Sequence, residues 1–358
     1  MYKYQHGGDI YSEKLAPNGK PFVDFSANIN PLGIPQGVKK AIINSLDSCV
    51  NYPDAFCREL KEATGKFLGI PRDYLFFGNG AADVLFRLSL ALKPKKALLL
   101  APTFADYEKA LRSVDCEICY YNLPKGYGFS VQQNILEQIV PGLDIVVICN
   151  PNNPTGLVCE EKLLEAVLDR CKEVGATLLI DECFMDFVPQ EFAYSFRAKL
   201  SKYKNLVILK AFTKTFAIPG VRLGYCMTSN KKLLAGLHEA GQDWNVSIMA
   251  QEAGKAAVLE TEYLAKSYAY IQEQRENMQE ALRKIVGVRV YPSLANYIFL
   301  QIADSQGVVE ELKERGFLIR SCANYHNLGK DYYRIAVKKQ NENKALIKAL
   351  KEILKYEY

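Results

Sequence analysis

Short apolar runs alternate with longer amphipathic segments through much of the chain. Five of these runs consist mainly of aliphatic residues and predict buried strands, within KKALLLAP, DIVVICNP, ATLLIDE, NLVILKAF and RLGYCM. The segment EEKLLEAVLDRCKEVG has helical periodicity and ends at Gly175, a residue type that favours the left-handed conformation after a helix. Strands that alternate with helices predict an α/β fold with a mostly parallel sheet covered by helices on both faces.

The pattern changes in the last third of the chain. Residues 248–286 are charged and periodic, which predicts helix, and the following residues contain shorter strand-like and helix-like segments typical of a smaller α+β unit. The first residues contain too few apolar positions for a core of their own. We therefore expect an N-terminal arm at 1–45 that packs on the small unit, a large domain at 46–245, and a linking helix with a small C-terminal domain at 246–358.

Length and charge exclude several classes of protein. The chain has 358 residues, of which 49% are hydrophobic, and its net charge of +5 is spread thinly. Nucleic-acid binding requires a concentrated basic face, which the sequence lacks. No apolar run approaches the roughly 18 residues of a membrane span, and the N-terminal segment has no apolar signal region. These features predict a soluble, cytoplasmic protein with no nucleic-acid or membrane partner.

The cysteines favour the same compartment. Ten of them are scattered, many through apolar stretches, which is typical of core residues in a reducing environment. Cys116 and Cys119 have a spacing that suits zinc, but no second cysteine pair or nearby histidine completes a set of four ligands. This stretch is interpreted as a strand, and no metal is predicted.

Polar residues that suit ligand binding stand where the predicted strands end. Ligands bind beyond the carboxyl ends of the strands in open parallel sheets. Gly78 and Gly80 precede a helix start in FFGNGAADVLF, where backbone N–H groups can bind an anion. The strand that precedes CNPNNPTG ends in side-chain amides, and LLIDE ends in Asp181. Each motif alone also fits a turn, a capped loop or a helix N-cap.

The stretch KAFTKTFAIPGVRLGY, taken together with these motifs, indicates one ligand that all of them could bind. It holds Lys214 and Arg222 apart by a Pro-Gly bend. Pyridoxal phosphate has an anionic phosphate, a ring nitrogen that takes a carboxylate, a ring oxygen that takes an amide donor, and an aldehyde that takes a lysine. The bend would let the lysine and the arginine reach opposite ends of this cofactor.

The motifs GNG, NPNNPTG, DE, TK and PGVRLGY follow one another in this order along the chain. With these motifs, the chain resembles fold type I pyridoxal-phosphate enzymes of the aminotransferase class I/II family over essentially its whole length. The resemblance implies that Lys214 forms the Schiff base with the cofactor and that Asp181 pairs with the ring nitrogen. It implies further cofactor contacts from Gly80, Ala81, Phe104, Asn153, Thr213 and Arg222. Asn153 would bind the ring oxygen, and Phe104 would stack on the ring.

The resemblance also implies a partner subunit, and the chain departs from the family pattern at two positions. Tyr52 matches a tyrosine that reaches the cofactor phosphate of a neighbouring subunit, which implies a homodimer. Phe184 stands where many aminotransferases have Tyr, and Ala211 stands where a hydroxyl residue is usual, so one ring contact and one phosphate contact are missing. Lys210 lacks the flanking pattern of the reactive lysine and is interpreted as a structural or surface residue.

Three further stretches, HGGDI, DFSANINPLG and IRSCANY, resemble a branch of the family that decarboxylates L-threonine O-3-phosphate in cobalamin biosynthesis. This resemblance implies substrate contacts from His6, Gly7, Asn28, Asn153, Arg320 and Arg334. Two arginines suit a substrate with both a phosphate and a carboxylate. Transamination of histidinol phosphate with 2-oxoglutarate stays open, since that substrate also carries a phosphate. A non-catalytic binding protein is disfavoured, because it would not need a Schiff-base lysine.

Overall fold

A computed structural model describes residues 6–12, 15–17, 19–189, 194–303 and 305–354. Every residue that the sequence analysis selected for the site lies within these ranges. No helix among them is long and apolar enough to cross a membrane.

The strands form one large and two small sheets. In chain order they are β1 (Val23–Asp24), β2 (Leu75–Gly78), β3 (Lys96–Ala101), β4 (Glu117–Asn122), β5 (Ile145–Cys149), β6 (Thr177–Asp181), β7 (Leu206–Ala211), β8 (Gly224–Met227), β9 (Val288–Val290), β10 (Tyr297–Ile302), β11 (Phe317–Leu318), β12 (Arg320–Ser321) and β13 (Tyr332–Ala336). The large sheet has the order β2-β8-β7-β6-β5-β3-β4. Strands β3 to β7 pair in parallel, whereas β8 runs antiparallel to both of its neighbours. The predicted α/β fold with a mostly parallel sheet is confirmed.

Helices pack around these sheets. In chain order they are α1 (Gln36–Asn44), α2 (Arg58–Leu68), α3 (Ala81–Leu92), α4 (Ala105–Arg112), α5 (Glu161–Val174), α6 (Phe212–Thr215), α7 (Lys231–Glu239), α8 (Ile248–Ala257), α9 (Thr261–Arg283), α10 (Val308–Glu314) and α11 (Gln340–Ile353). Helix α5 ends at Gly175, whose φ of 81° is the left-handed conformation predicted there. The segment 248–286 is helical as predicted, but it forms the two helices α8 and α9 instead of one.

Both faces of the large sheet are buried. Successive side chains of a strand point to opposite faces, and in β3 Leu98 and Leu100 join one apolar cluster while Ala97 and Leu99 join the other. A strand that is covered on both faces needs apolar residues at every position. This explains why the central strands are continuous apolar runs in the sequence.

The small sheet is antiparallel, with the order β12-β13-β10-β9, and a separate parallel pair joins β1 to β11. The N-terminal segment is thereby tied to the C-terminal part of the chain. Phe25, directly after β1, accepts a backbone hydrogen bond from Ala336 at 2.8 Å. On these contacts we propose the same division into an arm, a large domain and a small domain that the sequence suggests.

Candidate active site

A cavity of about 300 Å³ lies at the carboxyl edge of the large sheet. Twelve of the residues predicted for the site line it: His6, Gly7, Asn28, Ala81, Phe104, Asn153, Asp181, Thr213, Lys214, Arg222, Arg320 and Arg334. Gly80 adjoins this set as the residue before α3, and Tyr52 lies outside it. The structure therefore brings together residues from both ends of the chain.

An anion cradle forms where β2 leads into α3. Gly80 has a φ of 86°, and a Cβ atom there would lie 2.5 Å from Nη2 of Arg222. Gly224 in β8 is equally confined, since a Cβ would lie 2.2 Å from the backbone nitrogen of Ala81. The absence of a side chain at Gly80 lets the guanidinium approach the N-terminus of α3, and its absence at Gly224 lets β8 pack against the backbone there. Free N–H groups at a helix N-terminus and an adjacent arginine together favour a phosphate.

Asp181, the last residue of β6, is a buried carboxylate inside the cavity. Its Oδ1 accepts a hydrogen bond from the backbone N–H of Cys183 at 2.8 Å, and its Oδ2 accepts one from the hydroxyl of Tyr107 at 2.6 Å. Burial raises the pKa of Asp181, and these hydrogen bonds act against that shift. Tyr107 was not selected from the sequence, although it stands three residues after Phe104 on the same side of α4.

Lys214 lies in α6, directly after β7, with its side chain partly buried in the cavity. Burial is the largest cause that lowers the pKa of Lys214, to about 8, and the positive charges of Arg334 and Arg222 act in the same direction. An amine with such a pKa is partly neutral near pH 7.5 and can attack an aldehyde.

Lys210 lies outside the cavity lining. Its side chain is 4% exposed, and its Nζ lies 2.5 Å from Oδ1 of Asp186. Oδ2 of the same carboxylate accepts a hydrogen bond from the Thr215 hydroxyl at 2.6 Å. Lys210 is thus a buried structural residue, and the surface alternative is wrong.

Arg334, in β13, is a buried guanidinium without an ionic partner. Its Nη1 donates to Oδ1 of Asn153 at 2.6 Å, and its Nη2 donates to the carbonyl oxygen of Ser26 at 2.7 Å, while Nε has no partner in the described part of the chain. No carboxylate of the described residues lies within ion-pair distance of it. Because Asn153 accepts through Oδ1, its Nδ2 is left to donate. Arg334 can therefore receive an anion, and Asn153 can donate to the ring oxygen of a cofactor.

Arg320 lies directly opposite Arg334 in the register of β12 and β13. Its Nη1 donates to the carbonyl oxygen of Ser321 at 2.7 Å, and its Nη2 donates to Oδ1 of Asn324 at 2.8 Å. Directly opposite residues of an antiparallel pair extend from the same face of the sheet. The two arginines thus form one positively charged wall of the cavity.

The N-terminal segment closes another side of the cavity. Nε2 of His6 lies 3.0 Å from Oδ1 of Asp106, which also lines the cavity. Gly7 packs so tightly that a Cβ atom would lie 2.3 Å from the carbonyl oxygen of Ser26. Asn28 is buried, and its Oδ1 has no hydrogen-bond partner among the residues that the structure describes. Asp106 and Ser26 were missed in the sequence, because their contacts join segments far apart in the chain.

Tyr52 lies at the surface, whereas the two departures from the family pattern lie in the cavity. Tyr52 is 78% exposed and stacks on Trp244, with 4.6 Å between the ring centroids. Phe184 and Ala211 line the cavity, so the two departures from the family pattern present apolar surface to it. Among the described residues, no group of three or more His, Cys, Asp or Glu side chains is placed to hold a metal ion.

The cavity suits pyridoxal phosphate on chemical grounds. It combines an amine with a lowered pKa at Lys214, a buried carboxylate at Asp181, an amide donor at Asn153 and an anion cradle beside Arg222. These groups match the aldehyde, the ring nitrogen, the ring oxygen and the phosphate of that cofactor. The cation-rich lining also leaves Arg334 available for a second anion.

Comparisons with known proteins agree with this chemistry. Residues 20–350 match the model of the family described as aminotransferase class I and II. A threonine-phosphate decarboxylase of Salmonella typhimurium is 36% identical over 99% of this chain and 98% of its own length. The structure of a histidinol-phosphate aminotransferase from Clostridium acetobutylicum has a TM-score of 0.87 and 30% identity, over 92% of this chain and 98% of that chain.

A third comparison is the structure of an L-threonine-O-3-phosphate decarboxylase from Porphyromonas gingivalis. Its TM-score is 0.82 and its identity 25%, over 93% of this chain and 99% of that chain. The similarity therefore extends over nearly the full length of each of these relatives. The chain belongs to the aminotransferase class I and II family and is a pyridoxal-phosphate-dependent enzyme.

Proposed function

We propose that the enzyme decarboxylates L-threonine O-3-phosphate to (R)-1-aminopropan-2-yl phosphate, the cobalamin-pathway reaction that the sequence resemblance implies. The observation that carries this proposal is the pair of opposed arginines, Arg320 and Arg334, on the wall of the Lys214 cavity. The 36% identity to a threonine-phosphate decarboxylase supports it.

The arginine pair favours a substrate with two anionic groups. Like charges directly opposite each other on two strands destabilise the pairing, and a bound anion would relieve this repulsion. The charge of Arg334 lowers the pKa of Lys214, so this arginine acts on the part of the cavity where the reaction occurs. Arg320 is less deeply buried. A phosphorylated amino acid offers one anion to each guanidinium.

The cofactor would be held by residues from several strand ends. Lys214 would bind its aldehyde, Asp181 its ring nitrogen and Asn153 its ring oxygen. The phosphate would be bound by Gly80, Ala81, Thr213 and Arg222, and Phe104 would cover the ring. Tyr52 would reach the phosphate of a partner subunit in a homodimer. When bound, pyridoxal phosphate withdraws electrons from the α-carbon of an amino acid.

The protein residues would then control which bond of the substrate breaks. The arginine pair, with His6, Gly7 and Asn28 from the N-terminal segment, would hold the phosphate and the carboxylate of the substrate and so orient the bond between Cα and the carboxylate for cleavage. That bond would break, carbon dioxide would leave, and the electron pair of the bond would remain at Cα until a proton is added. Lys214 would donate a proton to Cα, which completes the amine without an external amino acceptor.

Transamination of histidinol phosphate is the second candidate. It is supported by the TM-score of 0.87 to a histidinol-phosphate aminotransferase. In that reaction the same lysine would remove the proton from Cα, and the amino group would be passed to 2-oxoglutarate. The phosphate of either substrate suits the cation-rich cavity, so recognition of phosphate does not separate the two functions.

The direct test offers both substrates to the holoenzyme. With L-threonine O-3-phosphate alone, we expect stoichiometric release of carbon dioxide and formation of the amine phosphate, detected by mass spectrometry. Consumption of 2-oxoglutarate with histidinol phosphate, and no carbon dioxide from threonine phosphate, would refute the decarboxylase and establish the aminotransferase.

A second test concerns the arginine pair. Arg320→Ala and Arg334→Ala should each lower kcat/KM for the phosphorylated substrate about a hundredfold or more, because each leaves a buried anion without its partner. Cofactor absorbance should be retained in both variants. Arg289→Ala is the matched control, since Arg289 lies exposed on β9 of the same small sheet. A loss of less than tenfold in both arginine variants would contradict the assignment.

A further inference from the structure

A hydrogen bond between α4 and β6 connects two buried groups at the base of the cavity. Tyr107 is 1% exposed, and its hydroxyl donates to Oδ2 of Asp181 at 2.6 Å. We propose that Tyr107 is a positioning residue, which keeps the Asp181 carboxylate ionised and correctly oriented for the ring nitrogen of pyridoxal phosphate. This inference rests on the role of Asp181 in the proposed function.

The surroundings of Asp181 explain why such a donor is needed. The carboxylate is buried, and Cys149, Phe184 and Leu209 line the cavity with it. No basic side chain of the described residues forms an ion pair with it, and an ionised carboxylate without compensation is unfavourable in an apolar site. Three donors offset this cost, namely the backbone N–H of Cys183, the thiol of the same residue and the hydroxyl of Tyr107. A thiol is a weak donor, so the Tyr107 hydroxyl is the stronger of the two that a side-chain substitution can remove.

The fold determines the position of the tyrosine hydroxyl. Tyr107 stands in the first turn of α4, and its ring packs edge-on against Phe104 with 5.6 Å between centroids. Burial and the nearby Asp181 raise the pKa of Tyr107, so the hydroxyl stays protonated and acts as a donor. Tyr107 thus contacts both Phe104, whose ring would cover the cofactor, and Asp181, whose carboxylate would bind the ring nitrogen.

This arrangement determines where the proton of the ring nitrogen resides. A carboxylate that accepts several hydrogen bonds is a weaker base, so the proton stays on the ring nitrogen and the ring remains an effective electron acceptor. Without the tyrosine hydroxyl, Asp181 would be a stronger base and its orientation would be less restricted. Both changes weaken cofactor binding and slow the chemical step, whereas substrate binding at the arginine pair is untouched.

The test compares two buried tyrosines. Tyr107→Phe removes the hydroxyl from Asp181, and Tyr121→Phe is the matched control, because Tyr121 is 2% exposed and donates to Oδ1 of Asn134 at the same 2.6 Å. The dissociation constant of pyridoxal phosphate from the apoprotein is measured by equilibrium dialysis. We expect Tyr107→Phe to raise it about tenfold to a hundredfold, the effect of losing a hydrogen bond to a charged group. Tyr121→Phe should leave it within about twofold.

Holoenzyme kinetics and a double variant complete the test. At saturating cofactor, Tyr107→Phe should lower kcat with little change in KM for the phosphorylated substrate. Asp181→Asn should weaken cofactor binding strongly, and adding Tyr107→Phe to it should have a much smaller effect than Tyr107→Phe alone. Cofactor affinity and kcat like those of Tyr121→Phe would overturn the inference and leave the role of Asp181 standing. Unchanged affinity in Asp181→Asn would overturn both.

Discussion

The amine of Lys214 is expected to lose its proton far more readily than a solvent-exposed lysine. Burial and the charges of Arg334 and Arg222 lower its pKa from 10.5 to about 8. This shift makes protonation of the amine less favourable by about 3 kcal/mol. At pH 7.5, about a quarter of the molecules would then carry a neutral amine, compared with about one in a thousand at the ordinary pKa. Because only the neutral amine attacks an aldehyde, the substitution Arg334→Gln should reduce the reactive fraction by raising the pKa of Lys214.

The rate at which the apoprotein captures pyridoxal phosphate measures this pKa. Stopped-flow absorbance should show the rate rising about tenfold per pH increment of one below about pH 8, and levelling off above it. In Arg334→Gln the inflection should move to higher pH, and in the exposed control Arg289→Gln it should not move. The ionisations of the free cofactor are common to all three proteins and cancel in the comparison. An inflection near pH 10.5, or one that Arg334→Gln leaves in place, would refute the reasoning.

Three other outcomes follow from the site. Lys214→Ala should abolish the absorbance of covalently bound cofactor and nearly all turnover. Lys210→Ala should retain both but lower the free energy of unfolding by about 3 kcal/mol in urea titrations, because it leaves the partly buried carboxylate of Asp186 without its ion-pair partner. Tyr52→Phe should weaken cofactor binding in a homodimer, and an active monomer that holds cofactor in analytical ultracentrifugation would contradict this. Gly80→Ala should lower cofactor affinity about tenfold or more by filling the anion cradle, and Gly126→Ala, at an open position, should leave it unchanged.

Much of the fold is predictable from the sequence because the central strands are buried on both faces. The strands that end at Cys149, Asp181 and Ala211 consist mainly of aliphatic residues, and polar site residues stand at the end of each strand or in α6, which carries Lys214. A parallel sheet brings such ends to one edge. The apolar pattern and the polar residues after it therefore predict both the sheet and most of the residues that line its cavity.

Other features depend on contacts between residues that are far apart in the chain, and no local sequence pattern predicts such contacts. The run that ends at Met227 is as apolar as its neighbours, so hydrophobicity does not reveal that it runs antiparallel to β7. The break at 258–260 lies within an otherwise periodic segment. Tyr107 and Asp106 occupy one helical turn that reads as an ordinary amphipathic start, and only the packing of α4 places them beside Asp181 and the N-terminal segment.

Ser26 shows how a segment without a core of its own can take part in a well-ordered site. Its backbone N–H and its hydroxyl both donate to Oδ1 of Asp24, at 2.7 and 2.5 Å, and its Oγ accepts from the backbone N–H of Gly8 at 2.8 Å. Its carbonyl oxygen accepts from Arg334 at 2.7 Å, and Gly7 packs against the same carbonyl with no room for a side chain. The N-terminal segment and the buried arginine therefore share one hydrogen-bonded junction. Because that junction follows directly on the β1–β11 pair, the position of the proposed anion-binding arginine is coupled to the segment that carries His6.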